Sequence, residues 1–455
     1  MTNHVTIGRS GGLVPKPRQA GIGVPRDGVD DLARAACLAV VVLFHGIMMG
    51  VTPAAAGWSV TNAFDGQWFF PVLSLFLQVM PLFFILGGFS SFGAWQRRQA
   101  AGVGAGVFVR ERLLRLAKPA IVVFGTVGLG LAALAVAGLP ADLLGQIGFR
   151  ISQPMWFLAV YIGCSAMVPF MSGWHRRNPW ATVSVLALAI LGVDALRQGT
   201  GVEAIGLANL AFVWLLMQQI GFFVADGKRP ERGILWLVFL VPLAVLLIGA
   251  GNGWWPLDML LSLNPPRFSL ILLGLAQLGL MELLRPQLAA LLLHRKVKAV
   301  SGFANAKSLT VYLWHASVMS VLLGILLVLG VPMPEPLSPL WWATRPLWLL
   351  VLLAAVVPVA AVLHRFEKPS AARPAAGPNS PAQLAGVLST RNSVAATGLA
   401  IAAVVLVLAL GASPLSWLAA TLLLAVGLTV VGAWQPPGNT ALRLRVPLFG
   451  KAILR

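Results

Sequence analysis

The sequence predicts an all-α, polytopic membrane protein with a core of ten spans and two additional C-terminal spans. Three observations support this fold class: the composition, the length of the apolar runs and the uneven placement of the cationic residues. Of the 455 residues, 58% are hydrophobic and 10% are charged, whereas about a quarter of the residues in a soluble domain are charged. The composition therefore excludes a soluble globular protein.

Twelve apolar runs are long enough to be candidates for crossing about 30 Å of hydrocarbon. Helices are the expected spanning elements, because a lipid-exposed strand would leave backbone groups without hydrogen-bond partners. The predicted spans lie at residues 32–50, 69–89, 119–137, 155–171, 181–196, 204–223, 234–248, 268–284, 309–331, 347–363, 394–410 and 415–434.

The cationic residues fall mainly on one side of these spans. With the N-terminus placed in the cytoplasm, the opposite side carries only Arg150, Arg197, Arg267 and Arg345. Cytoplasmic loops are enriched in Lys and Arg, so the pattern predicts a multi-pass protein of the cell (plasma or inner) membrane with both termini cytoplasmic. Topology and anionic lipid head groups then account for the net charge of +19, and no nucleic-acid partner is predicted.

The chain divides into five predicted segments. A Pro-, Ala-, Gly- and Ser-rich stretch separates the last two spans from the core, so we expect those spans to make few contacts with it. The segments are a cytoplasmic tail at 1–30, the ten-span core at 31–368, the linker at 369–392, the two additional spans at 393–435 and a basic cytoplasmic tail at 436–455.

The tail at 1–30 lacks the pattern of a cleaved signal peptide, so the first span is expected to be retained. Both cysteines, Cys37 and Cys164, fall inside predicted spans. They have no paired spacing and no Cys/His cluster around them. We therefore predict neither a disulfide framework nor a metal site.

The first predicted span contains one permanent cation and one histidine on the same face. Arg34 and His45 are eleven positions apart, which on a helix is three turns plus about 20° and a rise of about 16 Å. Asp31, three residues before Arg34, is close enough to pair with it. One interpretation is structural, with Arg34 extending to head groups and His45 bonding a neighbouring helix. The other is a functional site inside the membrane.

These three residues, with ten positions between the arginine and the histidine, resemble the acyltransferase 3 family of integral membrane acyltransferases. Four further blocks resemble the family in the same order, and together they cover roughly residues 28–368. They read MPLFFILGGFSSF at 80–92, FVRERLLRLAKP at 108–119, MWFL at 155–158 and SLTVYLWH at 308–315. The sequence departs from the family pattern at Gly87, where many members have serine, and in its two additional spans.

The resemblance implies an enzyme that uses acyl-coenzyme A as donor substrate and holds no permanent cofactor. Arg112, Arg115 and Lys118 recur every three residues and so lie along one side of a helix at the cytoplasmic surface. Guanidinium groups suit bidentate recognition of phosphates, and the resemblance assigns this set to the coenzyme A phosphates. The alternative is an ordinary cytoplasmic charge cluster that contacts only lipid.

The expected reaction moves an acyl group, acetyl on the resemblance, to a hydroxyl of an envelope glycan, a glycolipid or a secreted small molecule. His45 is the candidate base for the hydroxyl proton, and a covalent acyl-His45 intermediate is the alternative. Arg34, held by Asp31, would orient the donor or stabilise developing negative charge. A transporter or a flippase of a lipid-linked glycan, without acyl transfer, is the competing hypothesis.

Two further groups are weaker candidates. Ser308, Tyr312 and His315 lie on one face of the ninth predicted span, where they form either a second polar face of the site or structural bonds between helices. On the opposite side of the membrane, aromatic and polar residues could form an acceptor rim or an ordinary aromatic belt. The rim candidates are Trp254, Trp255, Asp258 and Asn264.

Overall fold

The computed structural model describes residues 27–54, 57–227, 229–367, 382–411 and 413–433. Nearly all of the predicted N-terminal tail, the first part of the predicted linker and the basic C-terminal tail lie outside these residues. The described chain is helical apart from one small hairpin, and it is an all-α polytopic membrane protein, as the composition predicted.

Sixteen α-helices and two strands follow one another along the described chain. Short 3-10 helices at Gln153–Met155, Glu203–Ala208 and His364–Glu367 lie beside α6, α8 and α14. The elements are α1 Gly28–Met48, β1 Met49–Ala54, β2 Gly57–Asn62, α2 Phe70–Leu77, α3 Met80–Ala100, α4 Ala105–Val136, α5 Ala141–Ser152, α6 Trp156–Arg177, α7 Pro179–Thr200, α8 Asn209–Asp226, α9 Arg232–Gly251, α10 Ser269–Leu283, α11 Arg285–Leu291, α12 Arg295–Ala306, α13 Ser308–Val328, α14 Pro339–Leu363, α15 Ala382–Ala409 and α16 Pro414–Val430.

Each predicted span has a helical counterpart. Within the described residues, ten helices are long and apolar enough to cross a membrane, and α10 with α11 forms an eleventh span if that pair, which bends by 61°, is one unit. The twelfth counterpart, α16, is a shorter apolar helix of 17 residues. The bend falls where α11 has a proline in its first turn, which removes a backbone donor from the helical ladder.

Helices α3 and α8 approach each other closely through small residues. A Cβ built on Gly88 would lie 2.2 Å from the carbonyl oxygen of Gln218, and one on Gly221 would lie 2.1 Å from that of Ile85. Membrane helices often pack through such small residues because van der Waals contact and hydrogen bonding, rather than hydrophobic burial, hold them together in lipid. This close contact fixes α3, which carries the second of the sequence blocks described above.

A two-stranded antiparallel hairpin follows α1 directly and pairs Met49 with Asn62. The side chain of Arg345 donates to the Met49 carbonyl at 3.3 Å, and Arg150 donates to a carbonyl of β2. Beside the hairpin, a small aromatic cluster is built on Phe64 and Trp341, each 1% exposed. The hairpin and this cluster therefore cover the end of α1 that lies just beyond His45.

The last two helices are packed against the core, which corrects the expectation that they make few contacts with it. The rings of Phe124 in α4 and Trp417 in α16 are fully buried and lie 4.8 Å apart. Helix α15 begins at Ala382, inside the predicted linker, and the Ser393 hydroxyl donates to the Gly106 carbonyl of α4 at 2.9 Å. The composition of a linker describes only the linker, and it does not report how the faces of the following helices pack.

Candidate active site

Helix α1 supplies three of the predicted site residues from one uninterrupted helix. Its N-terminus is capped by the Asp27 side chain, which accepts from the Val29 N–H at 2.9 Å. Because the helix runs unbroken through His45, Arg34 and His45 share a face and are about 16 Å apart along the axis. The face therefore connects the start of α1 to the middle of the bundle.

Arg34 is held between α1 and α3. One guanidinium nitrogen, Nη1, donates to the Ser90 hydroxyl at 2.6 Å, and Nη2 pairs with the Asp31 carboxylate. The remaining nitrogen, Nε, is buried, and no described residue offers it a hydrogen bond. Asn305, at the end of α12, donates to the Asp31 backbone carbonyl at 2.6 Å and ties a third helix to this point.

His45 and His315 face each other inside the bundle, with ring centroids 5.1 Å apart. His45 Nδ1 lies 2.8 Å from the Val41 carbonyl, and His315 Nδ1 lies 2.6 Å from the Tyr312 carbonyl. A carbonyl only accepts, so both bonds place the proton on Nδ1 and leave a lone pair on Nε2. The Nε2 of His315 is buried and has no hydrogen-bond partner among the residues that the structure describes. Two imidazoles, each with a basic Nε2, thus lie side by side inside the bundle.

A polar cavity of about 350 Å³ opens at the end of the bundle where α1 begins. We call this end the basic end, because it carries Arg34, Arg97, Arg112 and Arg115. All four arginines line the cavity, together with Ser90, Ser91, Tyr161, Asn305, Ser308 and three aspartates. Lys118, one turn beyond Arg115 in α4, is not among the lining residues of this cavity or of the next.

A second, mainly apolar cavity of about 90 Å³ lies beside the polar one and shares Phe83, Arg112, Arg115, Tyr161 and Ser308 with it. The remaining lining side chains come from α1, α3, α4, α6 and α13 and are Cys37, Leu38, Val41, Met80, Leu116, Phe157, Ser165, Leu309 and Tyr312. The residues whose carbonyls hold the two histidines are thus both in its wall. The histidine rings themselves line neither cavity, so the two cavities lead from the basic end to the residues that hold the histidine pair.

The carboxylates at the mouth of the polar cavity are largely neutralised. Arg285 forms ion pairs with Asp27 at 2.8 Å and with Asp30 at 2.7 Å. Burial raises the pKa of Asp27, but the Val29 N–H and the nearby arginines outweigh this effect and hold the pKa below its ordinary value. The lining has four arginines and three aspartates, and Arg229 and Arg285 add two positive charges against the one further carboxylate of Glu282. The cavity is therefore electropositive.

The second polar face is divided between the two cavities and the histidine pair. Ser308 lines both cavities. Tyr312 is buried, and its hydroxyl donates to the Pro154 carbonyl in the 3-10 helix before α6. The face therefore combines a structural bond at Tyr312 with a buried His315 Nε2 that has no partner among the described residues, and a functional role of this face stays a prediction.

The predicted acceptor rim lies in the loop between α9 and α10. The Trp255 indole donates to the Leu246 carbonyl at 3.0 Å, and the Asp258 carboxylate accepts from a backbone N–H of its own loop at 2.8 Å. These two side chains hold the loop together. Trp254 is 56% exposed and is the rim tryptophan open to a ligand. Asn264 precedes Pro265 in the same loop.

Among the residues that the fold brings to the site, sequence reasoning missed Ser90, Arg97, Tyr161 and Asn305. Ser90 lies inside the second block, and Asn305 lies three residues before the last block, so position in these blocks was an available signal. Tyr161 lines both cavities from α6. It is one of the two tyrosines of the chain, and no spacing rule singles it out.

Comparison with known proteins gives one family. No curated protein and no solved structure gave a significant match to the chain. A family model described as an acyltransferase domain, that of the acyltransferase 3 family, matches residues 31–365. This range includes all five blocks, the histidine pair and every lining residue of the two cavities except Asp27 and Asp30, and it ends before α15. With well over half of its length matched, the chain belongs to the acyltransferase 3 family of membrane acyltransferases.

Proposed function

We propose that this protein takes an acyl group from cytoplasmic acyl-coenzyme A and transfers it to a hydroxyl of an envelope glycan, a glycolipid or a secreted small molecule. Acetyl is the expected acyl group from the family resemblance. The observation that carries the proposal is the pair of adjoining cavities. Arginines line the polar cavity, and the wall of the apolar cavity includes Val41 and Tyr312, whose carbonyls hold the two facing histidines. Family membership supports acyl transfer, and the cavities supply the argument for the donor.

The polar cavity fits the charged part of coenzyme A. Arg34, Arg97, Arg112 and Arg115 line it from three helices, and guanidinium groups bind phosphate oxygens through paired, charge-assisted hydrogen bonds. The apolar cavity is narrower and suits an uncharged arm that ends in a thioester. On this basis the phosphates lie at the basic end, and the thioester carbonyl lies beside the histidine pair.

This arrangement favours one of the two roles considered for Arg34. Arg34 lines the polar cavity, while His45 lies about 16 Å further along the same helix. A guanidinium cannot stabilise an oxyanion at that distance, since such stabilisation needs donors within about 3 Å. Arg34 is therefore assigned to orienting the donor, with Asp31 and Ser90 fixing its side chain.

In the proposed chemistry, His45 Nε2 accepts the proton of the acceptor hydroxyl as its oxygen attacks the thioester carbonyl. The carbon–sulfur bond then breaks, and the proton passes from the imidazolium to the departing thiolate. Both histidines hold their other proton on Nδ1 through a carbonyl bond, so each presents a basic nitrogen without a change of tautomer. The unpartnered Nε2 of His315 can accept a bond from a neighbouring hydroxyl, which a sugar would supply.

The test uses purified protein in lipid nanodiscs with acetyl-coenzyme A. We expect free coenzyme A thiol to appear through slow hydrolysis without an acceptor, and faster release with membrane extracts that contain the acceptor. Mass spectrometry of envelope glycans and lipids from cells with and without the gene would identify the acylated product. A folded protein that neither binds coenzyme A nor releases its thiol would contradict the proposal and support the transporter hypothesis.

A further inference from the structure

Helix α4 presents two different faces at the basic end. Arg112 and Arg115 line both cavities from this helix. Arg110 is two positions before Arg112, and a helix turns about 100° per residue, so its side chain leaves from the opposite side. On that side Arg110 Nε donates to the Val431 carbonyl at 2.7 Å and Nη2 donates to the Gly432 carbonyl at 3.3 Å. One arginine therefore holds the end of α16 while its neighbours line the cavities.

The contact between α4 and the last two helices extends along both sides of a proline. Pro119 lies inside α4, and its missing N–H removes one bond of the helical ladder and weakens the connection between the two halves. On the side of the basic end, Gly106 is pressed against α15, since an added Cβ would lie 2.7 Å from the Thr390 Cα. Beyond the proline, a Cβ on Gly128 would lie 3.2 Å from the Leu418 backbone nitrogen of α16.

The helix pair thus contacts α4 both before and after its weakened point. Phe124 and Trp417 pack edge to face beyond the proline, and Ser393 bonds the Gly106 carbonyl before it. The family model ends at residue 365, so these contacts come from helices outside the matched region. An α4 without them would have a free outer face at the segment that carries the cavity arginines.

We propose that α15 and α16, through Arg110, fix the half of α4 at the basic end and thereby the positions of Arg112 and Arg115. Arg110 is a positioning residue, since it acts through the helix and does not line either cavity. The part of the proposal that concerns the donor rests on the proposed function. The part that concerns the position of α4 does not depend on it.

The experiment compares Arg110→Met with Arg177→Met in nanodiscs. Methionine keeps the apolar stem and removes the donor groups, and the exposed Arg177 at the end of α6 controls for the loss of one charge on the same side. Amide hydrogen exchange in residues 105–118 is measured first, because this readout needs no activity. We expect faster exchange in Arg110→Met only, with Arg110→Lys in between because it retains one donor.

Donor binding and kinetics form the second readout. We expect Arg110→Met to raise the Kd for coenzyme A and the KM for the acyl donor about tenfold. This is the size of effect that the loss of one charge-assisted hydrogen bond to the donor would have. The kcat should change little. If Arg110→Met does not fold, Ser393→Ala provides a milder loss at a second bond between α4 and the helix pair, the one from Ser393 to the Gly106 carbonyl. Unchanged exchange at 105–118 would overturn the proposal, as would faster exchange with unchanged coenzyme A affinity. If the wild type binds no coenzyme A, the proposed function fails, while the exchange data still decide whether the pair holds α4.

Discussion

Replacing His45 with alanine separates a catalytic histidine from a structural one. The imidazole is half-buried and makes one hydrogen bond, to the Val41 carbonyl at 2.8 Å. That carbonyl also accepts the His45 backbone N–H within α1, so the substitution leaves no buried acceptor without a partner. Removing a polar group from a span also favours membrane insertion. We therefore expect His45→Ala to insert and fold.

The expected sizes of the two effects differ enough to be distinguished. Loss of one ordinary hydrogen bond costs about 0.5–1.5 kcal/mol of folding free energy. Loss of a general base lowers the rate about 10²- to 10⁴-fold, which corresponds to roughly 3–5 kcal/mol of activation free energy. Acyl transfer should thus fall by at least about a hundredfold in a protein whose thermal stability changes little.

The assay measures thiol release from acetyl-coenzyme A in nanodiscs, alongside a thermal unfolding curve and a coenzyme A binding curve. The matched control is His364→Ala, because His364 makes the same type of bond, to the Ala361 carbonyl at 2.7 Å, and lies at the end of α14. Binding of coenzyme A should survive in both variants, since the arginines that line the polar cavity are unchanged. Transfer at the wild-type rate by well-folded His45→Ala would refute the catalytic assignment.

Three further predictions concern the donor site and the packing. Arg112→Glu should weaken coenzyme A binding about ten- to a hundredfold, while Arg176→Glu should change it less than about twofold. Equal losses in a binding assay would indicate that these arginines only set the membrane topology. Gly88→Ala should lower the melting temperature, since its Cβ would lie 2.2 Å from a backbone carbonyl of α8. Gly87→Ala should leave the melting temperature unchanged, because the nearest atom to its Cβ would be 3.6 Å away. Equal melting temperatures of the two variants would contradict this packing. A chain truncated after Gln383 should insert but unfold at lower temperature and bind coenzyme A more weakly, and unchanged values would restore the view of the last spans as an appendage.

The sequence by itself determined the fold class, the spans and the shared face of Arg34 and His45. Apolar runs of span length and few charges leave little alternative to membrane helices, and helical periodicity fixes which residues of one helix share a face. These are local properties of the chain, so they can be read without knowing how the helices pack. The order of the five sequence blocks also predicted the family, and the match of the family model over residues 31–365 confirmed that prediction.

Only the tertiary structure decided which helices meet. The pairing of His45 with His315 and the bond from Arg34 to Ser90 join residues far apart in the chain. Inside a bilayer such contacts depend on the close fit of helix surfaces, and no periodicity within a single helix encodes them. For the same reason the linker composition gave the wrong expectation for α15 and α16, whose packing against α4 depends on the small residues and buried rings of the helices themselves.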